Sequence, residues 1–106
     1  MKKIAIEIPI IKIETLCRKW KIKELSLFGS VLRDDFDPTK SDIDILIEFY
    51  PGTYWGLEIV DMKDELEKIF KRPVDFLNKK SIEKSHNPYR KKEILGSYEV
   101  IYEQAV

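Results

Sequence analysis

Apolar residues at Ile13, Leu16, Cys17 and Trp20 recur three, four and seven positions apart, so residues 11–20 are predicted to form a helix with one buried face. Residues 24–28 read as a short strand that ends in Gly29-Ser30, with a helical turn predicted over 31–33 and an acidic loop over 34–41. From 42 to 49 the pattern alternates: Ile43, Ile45 and Ile47 share one face, and Asp42 and Asp44 begin the other. Pro51-Gly52 marks a turn, and residues 54–70 read as the principal helix, its apolar face clearest at Ile59, Met62, Leu66 and Ile69. Pro73 stops it, and 74–77 reads as a third strand with Asp75 and Leu77 on one face and Val74 and Phe76 on the other. A helical turn capped by Ser81, a short helix over 88–95 stopped by Gly96, and an edge strand over 99–102 complete the pattern. This alternation predicts an α/β (α+β) fold, a small mixed β-sheet covered by helices, in a single domain spanning 1–106.

The strand over 42–49 carries chemistry as well as structure. Strand geometry sends Asp42 and Asp44 to the same side, where two carboxylates suit a divalent cation such as magnesium, which often binds one or two carboxylates plus substrate phosphates. Upstream, Gly29 lets the backbone approach a ligand closely, and Ser30 offers a hydroxyl where a helical turn opens, a setting that attracts phosphate. Alone, Gly29-Ser30 would be an ordinary turn with a cap; with the acid pair downstream, it reads as half of a nucleotide-handling metal site. If the third strand pairs beside 42–49, Asp75 joins the acids, and three such carboxylates need cations to neutralise them.

Composition narrows the class. Nineteen Lys and Arg balance nineteen Asp and Glu, so the basic excess expected of a protein that grips nucleic acid through phosphates is missing, which weighs against tRNA or DNA as the main substrate. A single cysteine leaves no internal disulfide and fits a reducing, cytoplasmic setting. No apolar run is long enough for a membrane span, and Glu7 interrupts the apolar start that a signal peptide would need. Charged residues make up 36% of the chain, mostly Lys and Glu, with two Asn and one Gln, a pattern enriched in proteins of hot-growing organisms.

Gly29-Ser30, then Ser41-Asp42-Ile43-Asp44, then Val74-Asp75-Phe76 resemble the motif of the DNA polymerase β-like nucleotidyltransferases, and in particular the minimal nucleotidyltransferases (MNT). The resemblance extends from about Ile11 to Glu103, and the segments 87–95 and 100–103 are similar to the tail of MNT antitoxins. Two departures stand out: eleven residues separate Ser30 from Asp42, one more than the family usually has, and Asp34 stands where the family often has glycine. A surface loop absorbs one extra residue at small cost.

The resemblance implies a mechanism and a partner. Asp42 and Asp44 would ligate two Mg2+ ions, Asp75 would complete one shell and serve as base, and Gly29 and Ser30 would hold the β- and γ-phosphates of ATP. Arg33 either assists with phosphate charge or is a surface residue of its short helix. The reaction is AMP transfer from a nucleoside triphosphate to a hydroxyl, and the family points to a tyrosine of a HEPN-domain toxin, an RNase, with this chain as its antitoxin. Two rival readings are a non-enzymatic antitoxin that masks its partner by binding, and a nucleotidyltransferase for a small molecule. The second would need an acceptor pocket that 106 residues hardly provide without dimerisation, so a homo- or hetero-oligomer is left open.

Other residues take plainer readings. His86 sits in a polar loop, Cys17 on the apolar helix face, and Asp34, Asp35 and Asp37 lack the glycine and closing glutamate of a calcium loop. Lys79, Lys80 and Lys84 form a modest basic stretch, and Tyr54 and Trp55 suit either stacking or burial at the start of the principal helix.

Overall fold

The alternating stretch after Asp42 becomes one of two inner strands of a four-stranded sheet. A computed structural model describes residues 7–32 and 42–104. Among them the chain runs α1 (Ile10–Lys19), β1 (Ile22–Phe28), a 3-10 turn (Gly29–Leu32), β2 (Ile43–Phe49), α2 (Ile59–Phe70), β3 (Val74–Asn78), α3 (Lys79–Glu83), α4 (Pro88–Leu95) and β4 (Tyr98–Glu103). The sheet order is β3-β2-β1-β4. β1 pairs antiparallel with β2 and β4, while β2 and β3 run parallel, joined by α2 as the crossover that parallel pairing demands. The sheet is therefore mixed and helix-covered, as the pattern predicts.

Its two faces divide the apolar residues. Ile43, Ile45 and Ile47 point with Leu25, Leu27 and Val74 into the main core, closed by Ile13, Leu16 and Cys17 of α1 and Met62, Leu66 and Phe70 of α2. The other face carries Leu46, buried under Ile82 of α3 and Ile94 of α4 in a smaller cluster. Burying each of these side chains contributes about 1.5–3 kcal/mol, so three residues hold α3 and α4 on the face that begins with Asp44.

The structure shortens one predicted element and moves one cap. The principal helix begins at Ile59 rather than 54, because Trp55 is drawn to α1: its indole N–H donates to the Trp20 carbonyl at 3.2 Å, and the rings meet edge to face at 5.0 Å. Trp55 is thus half-buried ahead of the helix, while Tyr54 beside it is exposed. Ser81 lies inside α3; Asn78 caps it instead, its side chain accepting the Lys80 N–H at 3.0 Å, so the helix opens directly off β3. Asn87 does the same for α4, accepting from Tyr89 and Arg90 N–H groups, with Pro88 at the first helical position.

An ionic contact locks α3 to the sheet. Lys79 Nζ donates to Glu24 Oε1 on β1 at 2.7 Å and lies 4.8 Å from the centre of the Tyr98 ring on β4. Burial works against the Lys79 charge, but Glu24 and Tyr98 outweigh it and hold the ammonium above its ordinary range.

Candidate active site

The parallel register places Asp44 level with Asp75 on neighbouring strands, and the antiparallel register places Phe28 level with Asp44 on the other side. A row Asp75–Asp44–Phe28 therefore crosses the sheet on the face opposite the main core. Asp44 is half-buried and Asp75 exposed; Asp42 is exposed just ahead of the first residue of β2. The expected neighbourhood of Asp75 and Asp44 follows from pairing, which fixes which residues stand side by side. Among the described residues no three His, Cys, Asp or Glu side chains converge into a cation-binding group, so the acids stand as a level pair with Asp42 two positions upstream.

Gly29 is built into this row. Its φ of +77° is a conformation that residues with a side chain rarely adopt, and a Cβ there would come 2.5 Å from Asp44 Oδ2. β1 thus ends in a turn that only glycine fits, packed directly against a carboxylate. Ser30 follows in the 3-10 turn, where its backbone is described. Arg33 and the acidic stretch 34–41 lie outside the described residues.

Sequence patterns did not anticipate the opposite wall. α4 brings Arg90 and Glu93 over the acids, lining with Phe28, Phe76, Leu77 and Ile94 a groove of about 410 Å³ that contains Asp44 and Asp75. A smaller recess of about 190 Å³ continues past Asp44 to Gly29 and Ser97, again under Glu93 and Ile94. The available signal was the three- and four-residue spacing of Arg90, Glu93 and Ile94, which places them on one helix face. Which way that face points is decided by the burial of Ile94 on Leu46.

The donor set suits magnesium in the way that ion is commonly held: two carboxylates side by side, open to solvent on one side, beside a glycine turn where phosphates can approach the backbone. His86 is exposed and is not among the residues lining either recess at the row, and Cys17 is buried in the main core, its thiol pushed up to about 12 by burial and by the Glu14 carboxylate. No helix among the described residues is long and apolar enough to cross a membrane.

A mixed sheet with a carboxylate pair beside a glycine turn presents the residue types that suit a cation and a phosphorylated ligand. The chain belongs to the nucleotidyltransferase domain family, whose profile matches residues 11–101, and it is a nucleotidyltransferase. A relative from Methanocaldococcus jannaschii, named "putative protein adenylyltransferase", is 44% identical over 77 residues, 72% of this chain and 73% of its own. A crystal structure of a toxin–antitoxin with AMP-PNP shares the fold at a TM-score of 0.65 and 19% identity, covering 92% of this chain and 75% of that one. A complex of tri-AMPylated Shewanella oneidensis HEPN toxin with MNT antitoxin matches at a TM-score of 0.58 and 20% identity, over 90% and 70% of the two chains.

Proposed function

We propose that this chain is a protein adenylyltransferase that moves AMP from ATP to a tyrosine hydroxyl of a HEPN-domain toxin and so acts as its antitoxin. The observation that carries the reading is the level Asp44–Asp75 pair beside Gly29, opening into a groove walled by α4. The name of the M. jannaschii relative supports transfer to protein, and the fold shared with an AMP-PNP-bound toxin–antitoxin and with an AMPylated toxin complex supports the nucleotide and the partner.

The level pair Asp44 and Asp75 would form the centre of a site for two Mg2+ ions, which Asp42, two positions upstream, would have to draw closer to complete, with Gly29 and Ser30 holding the β- and γ-phosphates and Arg33 adding positive charge. Such ions, when bound, offset phosphate charge and acidify a coordinated hydroxyl. Gly29 leaves room for the Asp44 carboxylate to stay aimed at the groove, and Asp75, which is exposed, would be within reach of an incoming acceptor. The tyrosine oxygen attacks the α-phosphorus and the α–β bridging P–O bond breaks. Pyrophosphate leaves with the bonding pair, and the tyrosine proton passes to Asp75.

The test is mass spectrometry of a co-expressed HEPN neighbour, with wild-type protein and with Asp42→Asn/Asp44→Asn. A gain of one or more AMP masses with wild type alone supports the transfer. A toxin silenced equally by both, with no added mass, would replace this reading with one of masking by direct binding.

A further inference from the structure

At the other end of β2 and β3 the chain forms a second cleft, of about 340 Å³, which the acid row does not use. It lies where β2 runs out through Phe49 into Tyr50 and where β3 gives way to α3 at Asn78. Asp44 and Asp75 sit at the start of the same strands, so at about 3.3 Å per residue the two sites are roughly 10–16 Å apart.

The lining has a definite chemistry. Lys80 and Lys84 stand one helical turn apart, held there by the Lys84 N–H bonded to the Lys80 carbonyl at 3.1 Å. Facing them, Tyr54 is 90% exposed, the most water-accessible ring of the chain's described tyrosines, and Thr53 and Ser81 supply hydroxyls. No carboxylate is among the described residues lining this cleft, in a chain whose acids and bases are equal in number. Two lysines of the basic stretch, Lys80 and Lys84, thus meet Tyr54 in one place, although 26 positions separate Tyr54 from Lys80, while Lys79 turns to Glu24 and Trp55 to Trp20.

We propose that this cleft binds a nucleoside phosphate. The two ammonium groups take the phosphate, Tyr54 stacks on the base, and the hydroxyls of Thr53 and Ser81 reach the phosphate or ribose. Stacking on an aromatic ring beside a cationic groove is how bases are held without reading their edges, and the volume lies within the range of small-molecule sites. A free nucleotide and the end of a single-stranded nucleic acid present this same chemistry. The proposal does not depend on the adenylyltransferase reading.

The test is amide shift mapping by NMR in EDTA, which keeps a cation-dependent acid row out of the measurement. AMP and a single-stranded adenosine pentanucleotide are titrated separately. Shifts at Thr53, Tyr54, Ser81 and Lys84 are expected, with the tighter of the two probes naming the source of the ligand. Lys80→Gln/Lys84→Gln should weaken binding about tenfold, and Tyr54→Ala about fivefold or more; both changes are at exposed positions, so the fold survives them. The proposal is overturned by shifts confined to the Gly29–Asp44 end, by unchanged affinity in both variants, by inorganic phosphate binding as tightly as AMP, or by a phosphotyrosine peptide binding more tightly than either probe.

Discussion

The Asp44 carboxylate packs so closely on Gly29 that a Cβ at residue 29 would lie 2.5 Å from Oδ2. Gly29→Ala is therefore expected to act twice. The alanine must hold a φ near +77°, costing about 1–3 kcal/mol, and it must push the Asp44 carboxylate out of the row. AMP transfer should fall at least about a hundredfold while the protein stays folded with a lowered melting temperature. Transfer at the wild-type rate would show that the carboxylate position is unimportant.

Asp75 is exposed on an outer strand and level with Asp44. Asp75→Asn should leave the thermal midpoint nearly unchanged while transfer drops about 10²–10⁴-fold, the range for loss of a positioned acid or base. EDTA should abolish transfer by the wild type, and excess magnesium should restore it. A variant that keeps full activity would remove Asp75 from the chemistry.

Arg90 lines the groove above the acids and is exposed, so it is not needed for packing. Arg90→Ala is expected to weaken substrate use about tenfold, seen as a raised KM with the melting curve unmoved. Loss of folding instead would mean that α4 depends on this side chain.

Lys79 carries a pH signature. Its folded-state pKa lies above the ordinary lysine value of 10.5, so the stability it contributes is fully present below about that pH and fades as pH rises through the folded value. Urea titrations at pH 8, 10 and 11 should show wild type losing stability at the alkaline end. Lys79→Met should be weaker throughout, by about 1–3 kcal/mol for the stranded Glu24 carboxylate, and should lack the part of the alkaline decline that comes from Lys79. Equal alkaline declines in both proteins would rule out the Lys79–Glu24 contact as its source.

Cys17 is buried in the main core with its thiol pushed up to about 12. Iodoacetamide at pH 8 should leave it almost unmodified in the native protein and alkylate it readily in urea, because the thiolate is the reacting form. Rapid labelling of native protein, read by intact mass, would show that α1 opens easily.

The extents of the elements were legible where one periodicity ran unbroken. The helix over 88–95 appears with its predicted bounds, and the strands after Lys21, Asp42 and Pro73 fall within one or two residues of expectation. The errors share a cause. Residues 54–58 have acceptable helical spacing, yet Trp55 gains more by packing on Trp20, 35 positions away, than by continuing the helix backwards. Ser81 looked like a cap, but Asn78 reaches the Lys80 N–H first because β3 runs straight into α3.

What this chain determined by sequence alone is local. Alternation put Ile43, Ile45 and Ile47 on one face and Asp44 on the other, and Gly29-Ser30 marked where β1 turns, because strand and turn preferences depend on neighbours a few bonds away. Only the tertiary structure decided that Asp75 stands level with Asp44, that Arg90 and Glu93 close over them, and that Lys79 reaches Glu24 across 55 positions. Those relationships are set by strand pairing and by burial of Leu46, Ile82 and Ile94 between distant segments, whose free energy appears only once the segments meet.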